Sequence, residues 1–214
     1  MSLYKHFTGT NVALVAVFAG FIAASTIWGG VPLGSGVPIT LQTFAVLLAG
    51  AALGPWRGAS AVALYLVVGT AGAPIFAQHK AGPAVWAGTT GGFLAAFVVA
   101  AFVVGWMVRH MRRSGTLTTT GIVGAVAVGS LLVINGIGWG WVAIRFLDGD
   151  LAATVAAATP FLIGDIAKVF LAAIVASAIH RAYPELLGAS RKHRDSADSR
   201  GSAPGVDTPV STTA

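Results

Sequence analysis

The chain has 214 residues, of which 56% are hydrophobic and only 9% are charged, whereas a soluble globular domain carries roughly 25% charged residues. This composition excludes a water-soluble domain, and the absence of cysteine excludes disulfides and thiolate chemistry. The net charge of +6 sits in loops and a tail rather than along one exposed face, so we expect no nucleic-acid partner.

Six apolar segments predict six transmembrane helices. Each is long enough to cross a bilayer, which takes about 20 helical residues with a range of roughly 17 to 25. Prolines near the proposed helix ends support the boundaries; they are Pro38, Pro55, Pro74 and Pro160. The segments cover residues 12–28, 38–54, 58–74, 88–108, 121–143 and 156–180.

The distribution of Lys and Arg predicts the orientation, because cytoplasmic loops retain positive charge during insertion. With six spans, both termini lie on one side, and we expect that side to be the cytoplasm of the cell membrane. The other side receives only Lys80 and Arg145, and Lys168 lies inside a span. The cytoplasmic set is Lys5, Arg57, Arg109, Arg112, Arg113, Arg181, Arg191, Lys192, Arg194 and Arg200.

The predicted fold class is therefore an all-α integral membrane protein with two regions. We expect residues 1–187 to form a six-helix transmembrane domain embedded in the lipid bilayer. Residues 188–214 are rich in Ser, Ala, Asp, Arg and Pro and lack apolar periodicity, so we expect a disordered cytoplasmic C-terminal tail that ligand binding does not need.

Small residues recur along the first predicted span, where they let another helix backbone approach closely. The pattern predicts helix packing, either within the bundle or against a partner protein. The residues are Ala16, Gly20 and Ala24, with Ala19 and Ala23 offset by one ridge.

Polar residues stand just inside the membrane at the start of the second predicted span, in residues 37–44. Thr40 could cap the helix or bond its carbonyls. Gln42 has four hydrogen-bonding positions to satisfy, on a neighbouring helix or on a ligand. Tyr65 and Asn135, in the third and fifth predicted spans, leave the same two alternatives open.

Aromatic and polar residues are mixed between the third and fourth predicted spans, in residues 72–93. The rings of Phe76, Trp86 and Phe93 and the hydroxyl of Thr90 suit a lid over a partly apolar ligand. Trp86 could instead anchor the chain at the membrane interface.

Asp165 and Lys168 form the sharpest local feature, since they stand three apart on one helix face in the sixth predicted span. A mid-membrane Asp or Lys costs about 2.5 to 3.5 kcal/mol on translocon scales, so such residues usually face a cavity or a partner. They could form an internal ion pair near the water boundary, bind one ligand together, or do both.

Motifs of catalysis are missing from the sequence. It contains no P-loop, no H-E-x-x-H, no G-x-S-x-G and no Cys/His metal cluster. We therefore expect no enzyme activity, no ATP hydrolysis by this chain, no bound metal and no cofactor.

The ordered motifs resemble those of the BioY family, the biotin-specific substrate-capture subunits (S components) of energy-coupling factor (ECF) transporters. The resemblance covers about residues 10–182. It rests on residues 37–43 (VPITLQT), 53–58 (LGPWRG), 65–69 (YLVVG), 72–76 (GAPIF), 90–93 (TGGF) and 164–168 (GDIAK).

The resemblance implies six helices with a binding cavity near the outer face, and high-affinity biotin uptake as the substrate-specific subunit. The implied partners are a transmembrane T component and two ATP-binding ATPase subunits. An S component for another small vitamin on the same scaffold is the alternative.

Biotin has ureido N–H donors, a ureido carbonyl, an apolar bicyclic ring and a carboxylate. Asp165 could accept from a ureido N–H while Lys168 donates to the carbonyl or the carboxylate. We expect biotin to be almost completely buried beneath residues 73–88. The candidate substrate-binding residues are Asp165, Lys168, Gln42, Thr40, Phe44, Tyr65, Phe76, Trp86, Thr90, Phe93 and Asn135.

Overall fold

A computed structural model describes residues 9–27 and 37–184, which form helices and their connections. The predicted tail, residues 188–214, lies outside the described residues. A π-helical segment, Val128–Ile134, joins two of the helices into one span of residues 119–146, so the described chain contains six helical spans. The helices are α1 (Gly9–Ile27), α2 (Gln42–Leu53), α3 (Pro55–Thr70), α4 (Gly91–Arg113), α5 (Thr119–Ala127), α6 (Asn135–Phe146) and α7 (Leu151–Ala182).

The lengths of the spans are unequal. Helices α1 and α4, the composite span 119–146 and α7 are each long and apolar enough to cross a bilayer, and the chain is a multi-pass membrane protein. Helices α2 and α3 have only 12 and 16 residues, fewer than the sequence predicts. The backbone explains part of the difference, because the positive φ of Gly72 (117°) lies in a turn inside predicted segment 58–74.

Helix α7 begins earlier than predicted, so the expectation that Pro160 lies near a helix end is wrong. The Asp150 carboxylate accepts the backbone N–H groups of Ala152 and Ala153 at 2.8 and 3.0 Å, which caps a helix starting at Leu151. Pro160 then lies inside α7, where it cannot donate to the carbonyl one turn earlier. A strong N-cap upstream explains why the proline does not set the boundary.

Helix α2 occupies the centre of the bundle and is buried along nearly its whole length against α3, α4 and α7. Glycine makes this packing close. A Cβ on Gly50 would stand 2.5 Å from the carbonyl oxygen of Ala101 in α4, and one on Gly58 would stand 2.8 Å from that of Ala49. The backbones are therefore in direct contact, as expected where small residues mediate helix association in lipid.

The two ends of the bundle differ in charge. The basic end holds the start of α1, the α2–α3 turn, the α4–α5 loop and the end of α7. The lid end holds residues 71–90 between α3 and α4 and the short α6–α7 loop, with Lys80 and Arg145 as its described Lys and Arg residues. The described basic residues at the basic end are Arg57, Arg109, Arg112, Arg113 and Arg181.

Candidate substrate-binding site

A cavity lies inside the bundle beneath residues 71–90, with about 590 Å³ of empty space including its open mouth. Its wall combines aromatic and aliphatic side chains with a few polar groups, as small-molecule sites usually do. Most of the predicted binding residues line it: Thr40, Gln42, Phe76, Thr90, Phe93, Asn135, Asp165 and Lys168.

The polar wall of the cavity centres on Asp165. Lys168 Nζ donates to Asp165 Oδ1 at 3.0 Å, and Asn135 Nδ2 donates to Asp165 Oδ2 at 2.9 Å. Asp165 and Lys168 are only 5% and 8% exposed, and both line the cavity. The buried charges are thus paired, as burial at this depth requires, and each carboxylate oxygen retains acceptor capacity for a ligand.

The π-helical segment fixes the orientation of the Asn135 amide. Asn135 Nδ2 also donates to the backbone carbonyl of Ser130 at 3.0 Å, and Asn135 Oδ1 accepts the indole N–H of Trp139 at 3.1 Å. With its oxygen held by Trp139, the amide can present only N–H groups to Asp165. Such π segments interrupt α-helices most often at functional sites.

A second hydrogen-bonded chain links Gln42 on the cavity wall to Tyr65 and Ile75 behind it. Gln42 Nε2 donates to the Tyr65 hydroxyl at 2.9 Å, and that hydroxyl donates to the carbonyl of Ile75 at 3.2 Å. Gln42 is 4% exposed and lines the cavity, whereas Tyr65 does not. Tyr65 therefore orients Gln42 and links α3 to the start of the lid.

Three aromatic rings pack edge to face along one side of the cavity. Trp139 contacts Phe93 with ring centroids 5.6 Å apart and Phe161 with centroids 5.1 Å apart. Gly138 leaves the space for Phe93, since a Cβ on Gly138 would stand 2.3 Å from its ring atoms. The position of Phe93 in the wall thus requires a glycine, which has no side chain, at residue 138.

Residues 71–90 form a lid that is tied to the helices on both sides. Gly82 N–H donates to Gly69 O at 2.9 Å, and Trp86 Nε1 donates to Thr70 Oγ1 at 2.9 Å, so the lid is bound to the end of α3. Trp141 Nε1 of α6 donates to Gly88 O at 3.0 Å. The lid lines the cavity with Phe76, Ala77, Val85 and Thr90.

Three of the predicted binding residues do not line the cavity. Phe44 packs edge to face with Phe21 of α1, at a centroid distance of 6.1 Å. Tyr65 holds Gln42, and its ring packs edge to face against Phe76. Trp86 ties the lid to Thr70, so its contact to the site is indirect.

Several apolar residues of the wall are absent from the prediction: Val85, Leu94, Phe97, Ile134 and Phe161. The helical spacing of the sequence could have identified two of these residues. Phe161 precedes Asp165 by four residues, and Phe97 follows Phe93 by four, so each shares a face with a predicted residue.

The small-residue stripe of α1 divides between two surfaces. Ala19 is buried and Ala23 is half-buried against the bundle. Ala16, Gly20 and Ala24 are exposed, and a Cβ on Gly20 would meet nothing within 4 Å. The part of the bundle that the structure describes therefore leaves the second group of small residues uncovered.

Residues 3–185 match the model of the BioY family. The chain belongs to the BioY family. It is 37% identical over 185 residues to the biotin transporter BioY of Rhodobacter capsulatus, covering 83% of this chain and 96% of that protein. It is also 37% identical over 167 residues to the probable biotin transporter BioY of Pyrococcus horikoshii, covering 78% and 93%.

The BioY fold assignment has an independent structural basis. The chain superposes on the crystal structure of the S-component for biotin from an ECF-type ABC transporter with a TM-score of 0.76, covering 85% of this chain and 95% of that one at 22% identity. The six-span S-component fold predicted from the sequence is confirmed.

Proposed function

We propose that this BioY protein binds biotin in the cavity beneath the lid and delivers it across the cell membrane as the substrate-specific subunit of an ECF-type transporter. The observation that carries the proposal is a carboxylate and an ammonium group, Asp165 and Lys168, buried together on the wall of an aromatic-lined cavity. The names of the similar transporters support the choice of substrate.

The polar wall matches the chemistry of biotin. Asp165 has acceptor positions left for a ureido N–H, and Lys168 has N–H groups beyond the one that bonds Asp165. Gln42 uses its amide nitrogen on Tyr65, which leaves its carbonyl oxygen to accept from the ligand. The rings of Phe93 and Phe161 would cover the apolar bicyclic system.

Equilibrium binding of labelled biotin to the purified protein tests this proposal. We expect saturable high-affinity binding that unlabelled biotin displaces and that riboflavin and thiamine do not. If labelled biotin does not bind while labelled riboflavin or labelled thiamine binds saturably, the same scaffold serves another vitamin. No saturable binding of any of the three would contradict a role in vitamin capture.

The transmembrane T component and two ATPase subunits are the proposed partners, and ATP hydrolysis belongs to those ATPases because this sequence contains no P-loop. The exposed residues Ala16, Gly20 and Ala24 supply a smooth helix surface for the T component. We expect a helix of the T component to cross α1 at this surface.

Substituting Gly20→Leu tests this surface. A Cβ at residue 20 meets nothing within 4 Å among the described residues, so biotin affinity should not change, whereas co-purification of the T component should fall about ten-fold as the close helix approach is lost. Ala95→Leu, on the exposed face of α4, is the matched control. If the T component co-purified equally with both variants, its contact surface would lie elsewhere on the protein.

We further propose that both termini lie in the cytoplasm, since the basic end of the bundle then follows the positive-inside rule. The six-helix domain, residues 1–187, would bind substrate without residues 188–214. Removal of residues 188–214 should therefore leave the Kd for biotin unchanged in the binding assay above.

Breaking the lid anchor should speed release of the ligand. Trp86→Phe keeps the ring but removes the indole N–H that bonds Thr70, so the lid should open more often and the dissociation rate of biotin should rise about five- to ten-fold, as expected for the loss of one hydrogen bond. Trp56→Phe, an exposed ring on α3, is the control. Stopped-flow displacement measures the rate, and equal rates for both variants would show that Trp86 does not hold the lid.

A further inference from the structure

A second cavity opens at the basic end, between the α4–α5 loop and the last turns of α7, with about 960 Å³ of empty space including its open mouth. Its lining includes Arg112, His180 and Arg181 and contains no acidic side chain among the described residues. The cavity is separate from the biotin site, because the two share no lining residue.

His180 lines this cavity and has one ring nitrogen without a hydrogen-bond partner among the described residues. Its side chain is buried, with 6% exposure, and Nε2 lies 2.8 Å from the carbonyl oxygen of Ala51, so Nε2 carries the proton and donates. Nδ1 is buried and has no hydrogen-bond partner among the described residues. Buried polar atoms are rarely left in this state. Nδ1 of the neutral ring therefore keeps a lone pair that can accept a hydrogen bond from a hydroxyl group of a ligand.

The start of α5 adds a third element to the same cavity. Thr118 caps the helix by accepting the N–H of Gly121 at 3.0 Å, and Thr118 and Thr119 line the cavity. The helix continues through the π segment to Phe146. Its first turn presents the positive end of the helix dipole and N–H groups that lack acceptors within the helix, which together favour phosphate.

An apolar stripe leads from this cavity along the outside of α7. Phe170 and Ile174 precede Arg181 by eleven and seven residues, so all three share one helix face. Both apolar side chains are more than half exposed, at 52% and 56%. A phosphate group bound at Arg181 would thus have a hydrocarbon surface directly below it, as the acyl chain of a lipid requires.

We propose that this cavity binds the phosphate group of an anionic membrane lipid, held by Arg181 and by the N–H groups of Arg112 other than the one that donates to the carbonyl of Pro184. A hydroxyl of the lipid headgroup would donate to His180 Nδ1, and an acyl chain would lie along Phe170 and Ile174. Basic pockets between transmembrane helices are suited to lipid headgroups. The site is independent of biotin capture, and it would tie the α4–α5 loop to α7 at the membrane surface.

Thermal unfolding of the full chain in detergent tests the proposal with three probes: short-chain phosphatidylglycerol, short-chain phosphatidylcholine and inorganic phosphate. We expect phosphatidylglycerol alone to raise the Tm in a saturable way, because a ligand that binds the folded state stabilises it. Arg181→Gln and Arg112→Gln should each weaken the apparent affinity for phosphatidylglycerol about ten-fold, the effect of losing one charge-assisted hydrogen bond.

The matched control is Arg113→Gln, which removes the same charge next to Arg112 from an exposed side chain outside the cavity. It should leave the affinity for phosphatidylglycerol unchanged. If all three variants lost affinity for phosphatidylglycerol equally, the lipid would be attracted by the overall positive charge and not by a specific site, which would contradict the proposal. Equal stabilisation by phosphatidylcholine would overturn its selectivity for an anion, and equal stabilisation by inorganic phosphate would replace the lipid by a soluble anion.

Discussion

Asp165→Asn and Lys168→Met should each weaken biotin binding by about 2–4 kcal/mol, which is roughly 30- to 1,000-fold in Kd. Each substitution removes a group that would bond the ligand. Each also leaves the remaining charge buried without the partner that lies 3.0 Å away. Isothermal titration of biotin into folded protein measures the loss, with Asp148→Asn and Lys80→Met, both exposed at the lid end, as matched controls.

The double variant Asp165→Asn with Lys168→Met separates a ligand-binding role from a structural one. Removing both charges abolishes the cost of an unpaired buried ion, so the Tm should recover towards that of the unchanged protein. Biotin affinity should stay low, because the donors and acceptors for the ligand are gone. Recovery of affinity together with the Tm would mean that the ion pair only stabilises the bundle.

The sequence predicted the fold because the signals for a membrane bundle are long and redundant. Six apolar segments and the distribution of Lys and Arg pointed to the same six spans, and the motif order pointed to the same family. The error at Pro160 has a local cause. A proline usually marks a helix end, but the carboxylate cap of Asp150 starts α7 nine residues earlier.

Charged and polar candidates for the site were visible in the sequence because lipid makes them costly. The helix positions of Asp165 and Gln42 could be inferred from the apolar residues around them. Ring orientations could not be inferred. Phe44 and Phe161 are both apolar residues in predicted spans, and only the packing of α1 against α2 and of α6 against α7 turns the first away from the cavity and the second into it.

The π-helical segment was also beyond the reach of sequence patterns, since Val128–Ile134 reads as ordinary apolar helix. In the structure the carbonyl of Ser130 accepts both the backbone N–H and the side-chain Nδ2 of Asn135. The role of Asn135 as a donor to Asp165 therefore depends on a backbone irregularity that no residue pattern in the sequence marks.

Gly138→Ala should damage both stability and binding through a single added methyl group. The new Cβ would stand 2.3 Å from the ring of Phe93, so that ring must move out of its place in the cavity wall. Overpacking of this kind typically costs about 1–3 kcal/mol in the free energy of unfolding. We expect a lower Tm and a Kd for biotin raised about ten-fold.

Gly136→Ala on the same helix is the control, because a Cβ there meets nothing within 4 Å. Alanine also has the higher helix propensity, so this variant should be neutral or stabilised by up to about 1 kcal/mol. Thermal unfolding and biotin titration of both variants distinguish a local packing effect at Phe93 from a general sensitivity of α6 to substitution. If both variants bind biotin as tightly as the unchanged protein, Phe93 does not form part of the ligand's wall, and the aromatic side of the proposed site must lie elsewhere in the cavity.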